Sequence, residues 1–247
     1  NFLKSIIKDT IDKDLTYRNG RKGFLKMSHE VTTRNCRFIK SKKYIMASIW
    51  DNGIYLEKPK LKYKGVEIKR GETSPQMKKI IEKLIYKYLG EDLQINDIRN
   101  ECLKLMSYIK NLKKKSIISR YTSVSGVNQI KKDDNGIWQS DKNHIQMQIV
   151  RNWLNFIEEN DLTHLYNKPF EGQKMMYYKT MPGNKYKVIG VPDDVDIDNV
   201  PGLPEPNWNS MIVQQLIKPL LKTIDDRDNI DDKDCEIFLS GINKLKF

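Results

Sequence analysis

The sequence has few of the residues that build disulfide frameworks or zinc sites. Its three cysteines, Cys36, Cys102 and Cys235, lie far apart, and it has only three histidines. No pairing of these residues has the spacing of zinc ligands. An odd number of scattered cysteines also argues against a disulfide-stapled secreted domain, so we expect a reducing compartment, the cytoplasm.

Long apolar runs are also absent. None approaches the ~20 residues that a helix needs to cross a bilayer, and no signal peptide opens the sequence, so we expect no membrane partner. The first residue is Asn1 rather than Met, from which we expect a processed chain or a piece of a longer one. Hydrophobic residues make up 38% of the sequence, which is enough for a packed globular body.

Motifs for catalysis are lacking as well. Neither common Gly-rich phosphate loop occurs, and no Ser/His/Asp or Cys/His arrangement stands out. Four acidic residues match positions 1, 3, 5 and 12 of a calcium-binding loop, namely Asp194, Asp196, Asp198 and Glu205. Position 6, where that loop requires Gly, is Asn199, and two prolines interrupt the segment. We therefore predict an irregular loop over residues 192–206 rather than a calcium site.

Positive charge is what the sequence has in excess. The net charge of +12 is unevenly divided. Residues 1–190 hold 38 Lys and Arg against 20 Asp and Glu, a net of +18, whereas residues 191–247 hold 6 against 12, a net of −6. A basic body with an acidic end is typical of a protein that binds a polyanion such as nucleic acid. A Lys-rich, solvated surface would give the same totals, so charge alone leaves both interpretations open.

Hydrophobic spacing predicts an α+β fold. Strands are predicted at residues 24–27, 44–50, 116–124, 175–180 and 186–191, with turns at 51–53, 133–136 and 182–184. Helices are predicted at 75–90, after the capping residue Ser74, and at 96–112, 144–160 and 210–221. The helix at 96–112 is expected to bury Leu112, and the helix at 144–160 is expected to bury Ile145, Ile149, Trp153, Phe156 and Ile157. Residues 225–236 are predicted to form an acidic, mobile tail.

One basic segment and the motifs after it carry a family resemblance. The order of motifs is Lys42-Lys43-Tyr44, Ile49-Trp50-Asp51, the Glu-Lys-Pro-Lys-Leu-Lys run at 57–62, Gly65, and Thr73-Ser74-Pro75 opening a helix. This order resembles the end of the palm and the start of the thumb in phage-type family B DNA polymerases. Further matches in the same order are Asn143-His144-Ile145, Glu171-Gly172-Gln173-Lys174 and Ile217-Lys218-Pro219-Leu220. The similarity spans residues 27–247.

The resemblance implies two parts and a set of DNA contacts. Residues 1–65 would end the palm sheet, and residues 66–247 would form a mainly helical thumb with small β-hairpins and an acidic tail. The implied contacts to primer–template DNA are Lys42, Lys43, Tyr44, Lys131, His144, Arg151 and Lys174. Lys42 and Tyr44 would lie along the minor groove, where each base pair offers acceptors at nearly fixed positions. The setting implied is the cytoplasm of a phage-infected bacterium.

The resemblance also implies that other groups come from elsewhere. The family's two catalytic Mg²⁺ ions are held by palm aspartates, and neither their motifs, the fingers Lys motif nor the exonuclease carboxylates occur here. We therefore expect an N-terminal polymerase chain that carries those groups as a partner, and no polymerisation by this chain alone. The family's tail binds a sliding clamp; here only the apolar spacing of Leu245 and Phe247 remains in a basic tail.

Two other classes of function fit the same composition. One is a stand-alone accessory protein that binds duplex DNA without regard to sequence. The other is a basic structural protein of a phage. A neighbouring reading frame that ends just after an Asp-Thr-Asp motif would favour the polymerase.

Overall fold

The computed structural model describes residues 9–10, 30–66, 71–140, 143–225 and 229–241. Within these ranges the chain combines helices with small antiparallel sheets, which confirms the predicted α+β class. In the same ranges, no helix is both long and apolar enough to cross a membrane. The strand predicted at 24–27 lies outside the described residues.

The first sheet of the described chain has three antiparallel strands in sequence order: β1 (Val31–Lys40), β2 (Lys43–Asp51) and β3 (Ile54–Lys64). The strand predicted at 44–50 and the turn after it are confirmed. Asn52 and Gly53 both have positive φ, 48° and 96°, as a two-residue hairpin turn requires. Pro59 fits because it lies on an edge strand where the β2–β3 pairing is interrupted, between the pairs Ser48–Lys60 and Trp50–Tyr55, so its missing N–H costs no ladder hydrogen bond.

Helix α1 (Pro75–Gly90) packs against this sheet and is fixed at its start by Ser74. The Ser74 Oγ accepts a hydrogen bond from the Met77 N–H at 3.1 Å and donates one to the Ile117 carbonyl at 2.6 Å. Ile45 and Ala47 of β2 are fully buried in the same core. The predicted helix at 75–90 is confirmed, and so is the next one, α2 (Ile95–Leu112).

The strand predicted over 116–124 is wrong in its first part. Residues Lys115–Ile118 form one helical turn, α3, and the strand β4 covers only Arg120–Ser123. Asp198 accepts hydrogen bonds from the Ser116 N–H at 3.1 Å and from the Ser116 hydroxyl at 2.5 Å. The helical turn is thus stabilised by a carboxylate 82 residues away, which local sequence cannot reveal.

The second sheet of the described chain is antiparallel in the order β4–β7–β8, with β7 at Lys174–Lys179 and β8 at Val188–Pro192. Both strands and the turn between them confirm the prediction. Helix α4 (Ile145–Glu159) packs on β8, where a Cβ at Gly190 would lie only 2.7 Å from the Ile149 Cβ. Gly190 therefore allows the close approach of helix and sheet.

A short hairpin lies at the C-terminal end of α4. Its strands are β5 (Lys131–Lys132) and β6 (Trp138–Gln139), around the turn predicted at 133–136. The Trp138 indole N–H donates to the Glu158 carboxylate at 2.9 Å. The Asn155 side-chain amide accepts a hydrogen bond from the Trp138 backbone N–H and donates one to the Trp138 carbonyl. These contacts fix the hairpin on the helix.

The helix predicted at 210–221 is longer and is interrupted by a π-helical turn. It comprises α5 (Trp208–Ile212), the π-helical segment Val213–Ile217, and α6 (Lys218–Ile224). Pro219 has no N–H to give to the carbonyl of Gln215, and its ring would clash with that carbonyl in a regular α-helix. The wider turn just before Pro219 accommodates both effects.

The predicted mobile tail at 225–236 is wrong for its second half. Helix α7 (Asp232–Ser240) begins with a capping box, in which Asp231 and Asp234 each accept a hydrogen bond from the other's backbone N–H at 2.9 Å. Cys235 and Phe238 are buried in the core. The acidic cluster is thus a helix N-terminus, where carboxylates are stabilised by the free N–H groups and the helix dipole.

The exposed fractions of the side chains test which residues belong to the core. Helical spacing predicts Ile145 and Leu112 in the core, but they are 41% and 37% exposed. Residues 192–206 are irregular as predicted, yet Ile197 and Val200 are buried, so this loop is fixed to the body. The other four residues expected in the core from α4, Ile149 to Ile157, are buried.

Candidate nucleic-acid interface

One face of the first sheet carries aromatic and basic side chains and points away from Ile45 and Ala47. The residues of this lysine–aromatic face are paired directly across the strands: Cys36, Phe38, Tyr44, Met46, Lys60, Lys62 and Lys64, with the fully buried Ser48 opposite Lys60. Phe38 is 76% exposed, and its ring centroid lies 6.3 Å from that of Tyr44, with 57° between the ring planes. Phe38, Tyr44 and Lys64 occupy one row across the three strands.

The lysines of this face differ in their partners. Lys62 binds Asp51 at 2.7 Å. Lys60 and Lys64 are exposed, and neither has an ion-pair partner in the part of the chain that the structure describes. These two cations therefore lie on a surface that also presents an exposed aromatic ring.

The turn between β1 and β2 brings together the residues of the Lys-Lys-Tyr motif. Lys42 lies in the turn with φ 62°, and Lys43 and Tyr44 begin β2. Gly65 has φ 67° and contacts this turn: a Cβ there would lie 2.8 Å from the Lys42 carbonyl oxygen and 3.0 Å from the Lys43 Cγ. Only Gly combines that φ with that approach. The Lys-Lys-Tyr motif and the later Gly are thus neighbours in space.

A second basic surface is a cleft of about 800 Å³ beside the second sheet. We call it the basic cleft. Its charged lining residues are Arg120, Lys179, Lys187, Lys218 and Lys222, against Glu72 and Asp232. Gln148 and Gln214 add amide groups, the second from the π-helical segment. The excess of cations makes the cleft suited to an anionic ligand.

Ion pairs within the cleft decide which cations are available. Arg120 binds the Glu72 carboxylate and lies 5.9 Å from the centre of the Tyr177 ring. Lys218 binds Asp232 at 3.2 Å. Lys179 and Lys187 are exposed and have no ion-pair partner among the described residues. They lie on either side of the β7–β8 hairpin, where the Thr180 N–H donates to the Lys187 carbonyl.

Tyr177 adds a neutral polar group to the cleft. Burial raises the pKa of Tyr177, and the nearby Arg120 only partly opposes this rise. The hydroxyl therefore stays protonated at neutral pH and does not reduce the positive charge of the cleft.

Two of the sequence-predicted contacts lie on α4. His144 is the N-cap of α4 and is exposed, next to Ile145 and near Gln148, both of which line the basic cleft. Arg151 is half-buried two turns along the helix and does not line the cleft. His144 is thus close to the cleft, whereas Arg151 is not part of it.

The other predicted contacts lie apart. Lys131 is in the hairpin at the opposite end of α4, and Lys174 is at the opposite end of β7 from Lys179, about 17 Å along the strand. The structure therefore groups Lys42, Lys43 and Tyr44 at one end of the first sheet and spreads the remaining four over a second region. Leu245 and Phe247 lie outside the described residues.

The acidic residues with calcium-loop spacing serve as hydrogen-bond acceptors. Asp196 accepts from the Asp198 N–H at 3.1 Å and from the Asn199 amide at 2.7 Å, while Asp194 accepts from Gln173 at 3.1 Å. Among the described residues, no group of three or more His, Cys, Asp or Glu could hold a metal ion.

Four residues of these two surfaces, Phe38, Lys60, Lys179 and Lys187, were not among the contacts predicted from the sequence. A signal existed for one of them, because lysines at 58, 60, 62 and 64 alternate with other residues and so point to one face of a strand. No local pattern indicates that Lys179 and Lys187 lie beside residues of α4, the π-helical segment and α6, because the cleft exists only in the folded chain.

No protein-family model matches the chain, and no curated protein matches it either. The resemblance to family B polymerases therefore stays a prediction, which rests on the order of the motifs in the sequence.

Proposed function

We propose that this chain is the end of the palm and the thumb of a family B DNA polymerase, and that it grips primer–template duplex without regard to sequence. Two observations support the family part of the proposal. The motifs occur in the family's order, and the Lys42–Tyr44 segment contacts Gly65 in the fold. The helix that opens at Ser74 would then be the first helix of the thumb.

The observation that carries duplex binding is the basic cleft with Lys179 and Lys187. Lys and Arg bind backbone phosphates and release condensed counterions, which gives affinity that is independent of sequence and sensitive to salt. Lys179 and Lys187 can make such contacts without first breaking an ion pair to another described residue. Lys218 and Arg120 would have to exchange their carboxylate partners for phosphate.

The Lys42–Tyr44 segment would hold the other side of the duplex near the primer end. Purine N3 and pyrimidine O2 atoms accept hydrogen bonds at nearly fixed minor-groove positions, so an amino or hydroxyl donor there can sense correct pairing in any sequence. Lys42 is exposed in a turn held by Gly65, which suits a donor that must reach into a groove.

Catalysis would be divided between two parts of the polymerase. Paired Mg²⁺ ions held by aspartates of the partner chain would supply the charge that stabilises the phosphoryl-transfer transition state. The residues of this chain would position the duplex so that the primer end stays at those aspartates. The partner chain would also carry the fingers and the exonuclease.

A salt titration of duplex affinity tests the proposal. A Lys179→Gln/Lys187→Gln variant is expected to bind duplex DNA more weakly and to lower the slope of log K against log salt by about 2. The matched control is Lys185→Gln, because Lys185 lies on the same hairpin but is paired with Glu159. Equal slopes for the double variant and the unchanged protein would overturn the role of the cleft.

The second candidate is a stand-alone accessory protein that binds duplex DNA. The same cleft favours it, because phosphate contacts need no polymerase active site. The two candidates differ in one result: only the polymerase part raises primer extension when combined with the missing palm.

A further inference from the structure

Phe38 on the lysine–aromatic face takes no part in the proposed duplex contacts. Phe38 exposes 76% of its surface, although it lies within a sheet rather than at a chain end. Tyr44 abuts it at 6.3 Å between ring centroids and holds it from one side. The 57° between the two planes means that one flat partner can lie on the Phe38 ring without also lying flat on Tyr44.

Charge on the same face indicates the kind of partner. Lys64 is in the row of Phe38 and Tyr44, and Lys60 lies four residues away along β3, about 13 Å. Both cations are exposed and have no ion-pair partner among the described residues. A flat apolar ring on β1, with Lys64 in its row and Lys60 farther along β3 on the same face, complements a ligand with aromatic bases and phosphates.

We propose that the lysine–aromatic face binds single-stranded nucleic acid, with a base stacked on Phe38 and backbone phosphates on Lys60 and Lys64. Stacking requires an exposed base face, which a single strand offers and the interior of a duplex does not. Each base has such a face, so binding depends little on sequence. This site is separate from the basic cleft and shares only Tyr44 with the proposed minor-groove contacts, and it does not depend on the polymerase assignment.

The structure offers matched variants for a test. Phe38→Ala removes the stacking ring, and Tyr55→Ala is the control, because Tyr55 is 73% exposed in the same sheet. Phe38 lies opposite Tyr44 of β2, and Tyr55 lies opposite Trp50 of β2. Because Tyr44 and Trp50 are six residues apart, the positions of Phe38 and Tyr55 differ by about 20 Å along the strands. The Lys60→Gln/Lys64→Gln variant removes the two cations, with exposed Lys104→Gln on α2 as its control.

The measurement is fluorescence anisotropy of labelled oligo-dT, oligo-rU and a duplex of equal length. Phe38→Ala is expected to weaken oligo-dT or oligo-rU binding about tenfold and to leave duplex affinity unchanged. The lysine variant is expected to lower the salt dependence of single-strand binding. Comparison of oligo-dT with oligo-rU identifies DNA or RNA as the preferred strand.

A second readout is alkylation of Cys36, which is exposed on the same face. Bound oligo-dT is expected to slow that alkylation, and Tyr55→Ala is expected to keep the protection. Equal single-strand affinity of Phe38→Ala and the unchanged protein, or unprotected Cys36 at saturating oligonucleotide, overturns the proposal. If the basic cleft does not bind duplex DNA, that result counts against the polymerase proposal alone and leaves the single-strand site unaffected.

Discussion

Gly65 lies so close to the Lys42 carbonyl oxygen that a Cβ on Gly65 would be 2.8 Å from it. One of the two residues is in the turn between β1 and β2, and the other comes just after β3. Their contact closes one end of the first sheet and fixes the backbone from which Lys42, Lys43 and Tyr44 project.

Gly65→Ala is expected to destabilise the protein and to displace the Lys42 turn. The cause is twofold: a side chain at φ 67° costs about 1–2 kcal/mol, and the new methyl group clashes with backbone. Gly136→Ala is the control, because Gly136 has a similar positive φ, 78°, but no atom lies within 4 Å of its added Cβ. Urea unfolding checks this, and equal losses for both variants would show that the contact with Lys42 contributes nothing.

Asp198→Ala is expected to lower the free energy of unfolding by about 1–2 kcal/mol, because the Ser116 N–H and hydroxyl would lose their acceptor. Asp134→Ala is the control, an exposed Asp in the hairpin turn. The measurement is again urea unfolding. Similar midpoints for the two variants would contradict a structural role for Asp198.

Tyr63 is expected to make stability fall at high pH. Burial, together with the hydrogen bond to Glu82, raises the pKa of Tyr63 to about 12 from its usual 10. The pKa of Tyr63 is higher in the folded state than in the unfolded state. The contribution of protonated Tyr63 to the free energy of unfolding is therefore complete below pH ~10 and is lost as the pH rises toward 12. Ultraviolet titration of tyrosinate in the unchanged protein and in Tyr63→Phe checks this. A Tyr63 that ionises near pH 10 would contradict it.

Elements with strong local signals were predictable from the sequence. Ser74-Pro75 and the apolar spacing after it define α1, and Asn52-Gly53 defines the first hairpin, because caps and turns depend on residues next to one another. The failures share a cause, which is a distant partner. Asp198 stabilises the helical turn at 116–118 by accepting hydrogen bonds from Ser116, and Cys235 and Phe238 anchor α7 in a core formed by other elements.

The candidate site, too, has a part with a local sequence signal and a part that depends on residues distant in the sequence. The Lys42–Tyr44 segment could be proposed from the sequence because its residues are contiguous, and its DNA-binding role stays a prediction. The basic cleft was not, because Lys179 and Lys187 on the β7–β8 hairpin meet Gln148 of α4 and Lys218 of α6 only after folding. Its charge could be anticipated from the net +18 of residues 1–190, but its location could not.

Primer extension decides whether this chain is the palm end and thumb of a family B polymerase. Three samples are needed: this chain, the chain that carries the missing palm aspartates, and the two combined. We predict no synthesis by this chain alone and markedly more synthesis by the mixture than by the partner chain alone. We also predict that Lys42→Ala and Tyr44→Phe slow the mixture. Robust synthesis by this chain alone, or a mixture no more active than the partner chain, would contradict the polymerase assignment.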